Sequence, residues 1–136
     1  MVFFDSNILI YAIDRGDTAK HAIAEEWTQR LLSCDGSCMI STQTMSEFCC
    51  VLLRKLKVQP TDVRALHEEL RALPHVQVDA GIITRAVEIQ ALYKVQFFDA
   101  QVIAAAEHAN CDEILSEDLN DGQYYCGIKA VNPFAK

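Results

Sequence analysis

Apolar and polar positions follow two rhythms along this chain. Val2-Phe3-Phe4 is an unbroken apolar run, which reads as a short buried strand. It stops at Asp5. Ser6 and Asn7 follow, and Ile8, Leu9, Tyr11 and Ala12 then recur at helical spacing. Strand-like runs return at Cys38-Met39-Ile40, His75-Val76-Gln77-Val78, Glu113-Ile114-Leu115-Ser116 and Ile128-Lys129-Ala130-Val131. Helical stretches lie between the first four. Thr18 to about Leu32 places Ala19, Ile23, Trp27 and Leu31 on one face. The helix after Ser41-Thr42, running to about Lys57, places Met45, Phe48, Cys49, Leu52, Leu53 and Leu56 on another. Pro60 suits a first helical turn, and Asp79 suits an N-cap before Ile82, Ile83, Ala86, Val87 and Gln90. Phe97-Phe98-Asp99 opens a last helix with Val102, Ile103, Ala106 and Ala109 inward.

The crossovers are long enough for parallel pairing. The pattern therefore predicts one α/β domain over residues 1–136, with helices on both faces of a central sheet. No linker, repeat or low-complexity segment divides it.

Asp5 stands where a strand hands over to a helix, the place where open α/β sheets bind ligands. Helix capping alone would also explain it. Other acids reach comparable places: Glu47 in the helix after the second strand, Asp99 at a helix start on the inward face, and Asp118 after the fourth strand. If the first and fourth strands are neighbours, Asp5 and Asp118 face each other. Two like charges ~4 Å apart repel by roughly 4 kcal/mol at an effective dielectric near 20. Such a cluster must hold protons or a cation. All-oxygen donors without His or Cys suit a hard cation, Mg²⁺ or Mn²⁺.

Composition narrows the picture further. The net charge of −7 disfavours a protein living by non-specific phosphate contact, although clustered metal-binding acids contribute to that count. Six cysteines without a secretory signal read as free thiols, and Cys34 and Cys38 lack a second metal-binding pair. No apolar run approaches the ~18 residues of a membrane span. The N-terminus lacks a signal-peptide pattern, so the expected location is the cytoplasm.

Four segments together resemble the PIN domain, the metal-dependent ribonuclease fold of VapC-type toxins. They are Phe4-Asp5-Ser6-Asn7-Ile8-Leu9-Ile10-Tyr11, Ser41-Thr42-Gln43-Thr44-Met45-Ser46-Glu47-Phe48, Phe98-Asp99-Ala100 and Leu115-Ser116-Glu117-Asp118-Leu119. The resemblance spans essentially the whole chain. It implies a parallel sheet of order 3-2-1-4-5 and convergence of Asp5, Glu47, Asp99 and Asp118 on Mg²⁺ or Mn²⁺. Ser6 and Ser116 match hydroxyl positions beside the site, and Asn7 follows the metal-binding Asp. Glu117 and Asp121 are further acids in the fourth segment. Asp118 is favoured because it lies two residues after the hydroxyl position, and Asp121, beside Gly122, reads as a turn residue with an outside claim on the metal.

The resemblance also implies an RNA substrate, a homodimer, and a cognate antitoxin whose tail occupies the acidic cleft. A non-catalytic PIN-like RNA-binding or assembly module is the alternative. An aspartyl-phosphate phosphatase fits less well, because Asn7 stands where its second Asp belongs. A receiver-like domain would need Asp79 as acceptor, and Asp79 reads as a cap.

Overall fold

The computed structural model describes residues 1–135. Its elements, in chain order, are β1 (Val2–Phe4), α1 (Ser6–Ile13), α2 (Thr18–Leu32), β2 (Cys38–Ser41), α3 (Thr42–Arg54), α4 (Pro60–Arg71), β3 (His75–Val76), α5 (Ala80–Tyr93), α6 (Phe97–His108), β4 (Glu113–Leu115), β5 (Tyr124–Tyr125) and β6 (Ile128–Val131). The sheet order is β3-β2-β1-β4-β6-β5. β1 pairs in parallel with β2 on one side and β4 on the other, with Phe4 opposite Leu115. A strand walled in by two neighbours and covered on both faces must be apolar throughout. That is why Val2, Phe3 and Phe4 form an unbroken run and are all buried.

The pleat sends alternate side chains to two cores. Phe3 packs with Ala86, Ile89, Ile103 and Ile114 under α5 and α6. Phe4 packs with Ile8, Leu9, Ile40, Leu52 and Leu115 under the helices of the opposite face. The alanines of α6 allow close packing there: Ala100, Ala105 and Ala106 are fully buried.

The five strands expected from the sequence stand in the order 3-2-1-4-5, with β6 as the fifth. The sheet differs by one added edge strand, β5, which runs antiparallel to β6 with Tyr125 opposite Ile128. The sheet is thus mostly parallel rather than wholly so. The loop between them is Cys126-Gly127, both at positive φ (52° and 80°), the geometry of a tight primed hairpin turn. Cysteine in place of the usual Asn or Asp hides that turn in the sequence.

Other departures are local. β3 holds only two residues, because Val78 donates its backbone N–H to Thr42 Oγ1 instead of extending a ladder. α3 ends at Arg54, and Lys57 turns left-handed at φ 56°. In α2 it is Ala24 and Leu31 that are buried, while Ala19 is exposed and Trp27 is half-buried edge-on to Phe4. In α5, Ile82, Ala86 and Ile89 face inward, leaving Ile83 and Val87 outside. Asp79 caps α5 as expected, accepting from Ile82 N. All six cysteines are free thiols. Among the described residues no helix is long and apolar enough to cross a membrane.

Candidate metal centre

The parallel strands β1 and β4 end side by side, so the residues that follow them meet. Asp5 leaves β1 in an extended conformation and serves as N-cap of α1, accepting from Ser6 N at 2.7 Å through Oδ1. Its other oxygen, Oδ2, accepts from Ser116 Oγ at 2.7 Å. Ser116 Oγ in turn accepts from Asp118 N at 3.1 Å, so one hydroxyl positions two acids. Asn7, in the first turn of α1, donates from Nδ2 to Asp118 Oδ2 at 3.2 Å. The first turn of α6 supplies Asp99, which is half-buried.

Asp5, Asp99 and Asp118 each place a carboxylate oxygen within 4.8 Å of the others. Glu47 comes from α3, a helix fixed at its start by a capping box between Ser41 and Thr44. Thr44 Oγ1 also donates to the Phe4 carbonyl at 3.2 Å, tying α3 to the end of β1. Glu47 stands outside the group of three, close enough for its charge to act on both Asp5 and Asp99.

The electrostatics follow from burial and crowding. Burial pushes the Asp5 carboxyl up to about 7, against the pull of the Ser116 and Ser6 hydrogen bonds, with Glu47 and Asp118 adding repulsion. Asp99 is raised to about 6, first by burial and then by Asp118 and Glu47. Among the described residues no Lys, Arg or His forms an ion pair with any of these four acids. Asn7 Oδ1 is buried with no hydrogen-bond partner beside them. A concentration of oxygen donors lacking a cation of its own fits a hard divalent ion in chemistry and spacing.

The two other acids of the segment go elsewhere. Glu117 accepts from Tyr11 Oη and from Lys20 Nζ, each at 2.9 Å. Asp121 accepts from Asn132 N at 2.9 Å, fastening the turn at Gly122 to the chain after β6. Neither belongs to the group of three.

A sequence model of the PIN domain matches residues 2–121. The chain belongs to the PIN domain family. Solved structures show the same fold at low identity. A toxin–antitoxin complex from Klebsiella pneumoniae is 22% identical over 98% of each chain, with a TM-score of 0.67. VapC20 of Mycobacterium tuberculosis, a toxin that cleaves the sarcin–ricin loop, is 19% identical over 88% of this chain and 92% of its own, with a TM-score of 0.68. VapBC2 of Rickettsia felis, bound to a DNA fragment from its promoter, is 14% identical over 96% of this chain and 97% of its own, with a TM-score of 0.64. No curated protein sequence matches significantly.

Two site residues of this PIN domain escaped the sequence reading. Gln43, one helical turn before Glu47, donates from Nε2 to the Phe98 carbonyl at 3.0 Å and reaches Glu47 Oε1 at 3.5 Å. Gln101 donates from Nε2 to Gln43 Oε1 at 2.7 Å. This pair links the helix carrying Glu47 to the one carrying Asp99. The available signal was a polar side chain, Gln101, set inside an otherwise apolar and alanine-rich stripe.

Proposed function

We propose that this PIN domain is a metal-dependent endoribonuclease and the toxin of a toxin–antitoxin pair. The observation that carries the reading is the convergence of Asp5, Asp99 and Asp118, unpaired with any cation, at the carboxyl ends of β1 and β4. Membership of the PIN family supports it, as do the folds shared with toxins, one of them described as cleaving the sarcin–ricin loop. Two of the structures are toxin–antitoxin assemblies, which supports an antitoxin partner here. In this reading the protein is a homodimer acting in the cytoplasm on RNA.

Asp5, Asp99 and Asp118 would hold Mg²⁺ or Mn²⁺, which supplies water activation and neutralisation of phosphate charge. Asp5 is kept in place by Ser6 and Ser116, and Asp118 by Ser116 and Asn7. Glu47, outside the three and steadied by Gln43, is placed to accept a proton from the attacking water. Water adds to phosphorus in line, the bond to the 3′ oxygen breaks, and the products carry a 5′-phosphate and a 3′-hydroxyl. The structure carries an amide, Asn7, at the place where an aspartyl-phosphate phosphatase needs its second acid, and that amide is engaged with Asp118.

The test is cleavage of single-stranded and structured RNA by purified protein freed of bound partners, in Mg²⁺, Mn²⁺ or EDTA, beside Asp99→Asn. Cleavage that requires both the metal and Asp99 is the expected result. Metal-independent cleavage, or full activity in Asp99→Asn, would overturn it. RNA binding without cleavage would select the non-catalytic module.

A further inference from the structure

Beside the acids, α3 and α6 line a cleft of about 520 Å³ that Glu47 borders on one side. Its walls include Gln43, Ser46, Cys50, Phe98 and Gln101. Gln43 and Gln101 are both only 8% exposed. A primary amide at that depth needs hydrogen bonds to offset its lost hydration. Gln43 finds them at both ends, through the Phe98 carbonyl and the Gln101 amide. Gln101 is only half satisfied. It spends one N–H on Gln43, and its own Oε1 accepts no hydrogen bond from any described residue. That oxygen is not sealed inside the protein either: the buried, partnerless side-chain atoms are Asn7 Oδ1, Thr28 Oγ1 and His67 Nδ1. An acceptor and a spare donor on one planar group are therefore presented to the cleft.

The same cleft has an aromatic wall. Phe98 is 55% exposed although it opens a helix whose other apolar residues are mostly covered. Its ring is steadied edge-on by Phe97 at 5.5 Å between centroids and 73° between planes. Glu47 borders the same cleft, so whatever rests on the ring lies beside that acid.

An exposed aromatic face beside an unsaturated amide is the equipment that reads an unstacked base. The ring stacks on the base plane, and the amide pairs with a donor and acceptor on the base edge. An apolar protein helix would leave the Gln101 amide unsatisfied, which argues for a planar polar occupant. We propose that this cleft seats one unstacked nucleobase of the RNA substrate, next to the scissile phosphate, with Phe98 stacking on it and Gln101 hydrogen-bonding its edge. The proposal rests on the ribonuclease reading above, and it adds where the enzyme's sequence preference resides.

The experiment compares wild type with Phe98→Ala and Gln101→Leu. Phe98→Ala trims an exposed ring, so it leaves the fold intact. Gln101→Leu places an apolar side chain of similar bulk in an otherwise apolar stripe. Cleavage sites are mapped on a randomised RNA, and KM and kcat are measured on a short oligoribonucleotide and on the same oligomer with an abasic nucleotide at each position flanking the cut. Binding of both oligomers is measured in parallel with the Asp99→Asn protein, alone and combined with each cleft substitution. The wild type is expected to prefer a base at one flanking position. Either substitution, or the abasic nucleotide there, should flatten that preference and raise KM about tenfold, and Phe98→Ala should do so with Mn²⁺ affinity unchanged. Each substitution's penalty should disappear on the oligomer that is abasic at that position, because the base both side chains contact is then gone. RNA cleavage or binding that ignores both side chains would overturn the subsite and leave the ribonuclease reading standing. Absence of RNA binding and cleavage by wild type would overturn both. Conversion of a dimer to a monomer by Phe98→Ala would show that a second copy covers the cleft, and the proposal would fall.

Discussion

Adjacent in the chain, Glu117 and Asp118 belong to two differently built regions. Glu117 joins a balanced cluster: Lys20 Nζ lies 2.9 Å away, Tyr11 donates to it, and Lys20 also sits over the Tyr11 ring at 4.8 Å. The Lys20 ammonium is held above its ordinary range, first by Glu117 and then by Tyr11. Asp118 joins Asp5 and Asp99, where the partners are one hydroxyl, a backbone N–H, an amide and other acids. One region neutralises its charge from within the chain. The other retains an excess of negative charge that a cation from outside can relieve. Acid count alone would not separate them. The presence or absence of an internal cation does.

The sharpest way to break this comparison is to neutralise one member of each region. Asp99→Asn should lower RNA cleavage by more than about 100-fold, since even groups that merely orient metal ligands cost 10–100-fold. Glu117→Gln should keep cleavage within about threefold, because its ion pair is partly exposed and weak. Comparable losses in a side-by-side assay would mean that Glu117 belongs to the site after all.

Stability separates the regions in the opposite sense. With the metal removed, Asp5→Asn should raise stability at pH 8 by on the order of 4 kcal/mol, read from urea unfolding. The sign follows from the raised pKa. Below about pH 4 the Asp5 carboxyl is protonated folded and unfolded, so it carries no penalty. As pH climbs towards about 7, folding must either retain a proton or bury a charge, and wild-type stability falls. Asn keeps the acceptor for Ser6 N and can donate to Ser116 Oγ, so the geometry survives. A wild-type protein in EDTA whose stability is flat between pH 4 and pH 7 would contradict the burial argument.

Metal should act on one region only. At a hundredfold excess over its Kd, Mn²⁺ should stabilise wild type by about 2.7 kcal/mol in thermal or urea unfolding. Asp118→Asn should lose most of that gain, while Glu117→Gln should retain it. The smallest effect belongs to Lys20→Met, which removes the internal cation from Glu117. A slight drop in Tm with unchanged Mn²⁺ affinity is expected, and altered Mn²⁺ affinity would show that the two regions are electrically joined.

Much of this was legible in the residues. The handover from Phe4 to Asp5 pointed to where the acids gather, since a fully covered strand must be apolar and its end faces the crevice. Asp99 and Asp118 stood at comparable places and the resemblance grouped them with Asp5, as the structure does, whereas Glu47 stands outside the three. Asp118 could be favoured over Glu117 and Asp121 only by resemblance, because Lys20, which draws Glu117 away, lies 97 residues from it, and Asn132 meets Asp121 only once the chain after β6 folds back. The Gln43–Gln101 pair was hidden for the same reason, at a separation of 58 residues. β5 was missed because two residues carry no period, and Cys126 replaced the usual turn residue. In α5 the apolar series Ile82, Ile83, Ala86 and Val87 did not by itself mark one face; tertiary packing buries Ile82, Ala86 and Ile89 and leaves Ile83 and Val87 exposed.

The pairing of β1 with β4 joins residues more than a hundred positions apart. On the ribosome the chain grows from its N-terminus at roughly 5–20 residues per second. Asp5 and Glu47 emerge early, yet β1 has no neighbour on its β4 side until residue 113 has been made. Asp118 follows only after that. The nascent chain therefore lacks the completed acid cluster for most of its synthesis. Its carboxylate cluster closes as one of the last events of translation, and any truncated product ending before β4 lacks Asp118 and cannot complete it.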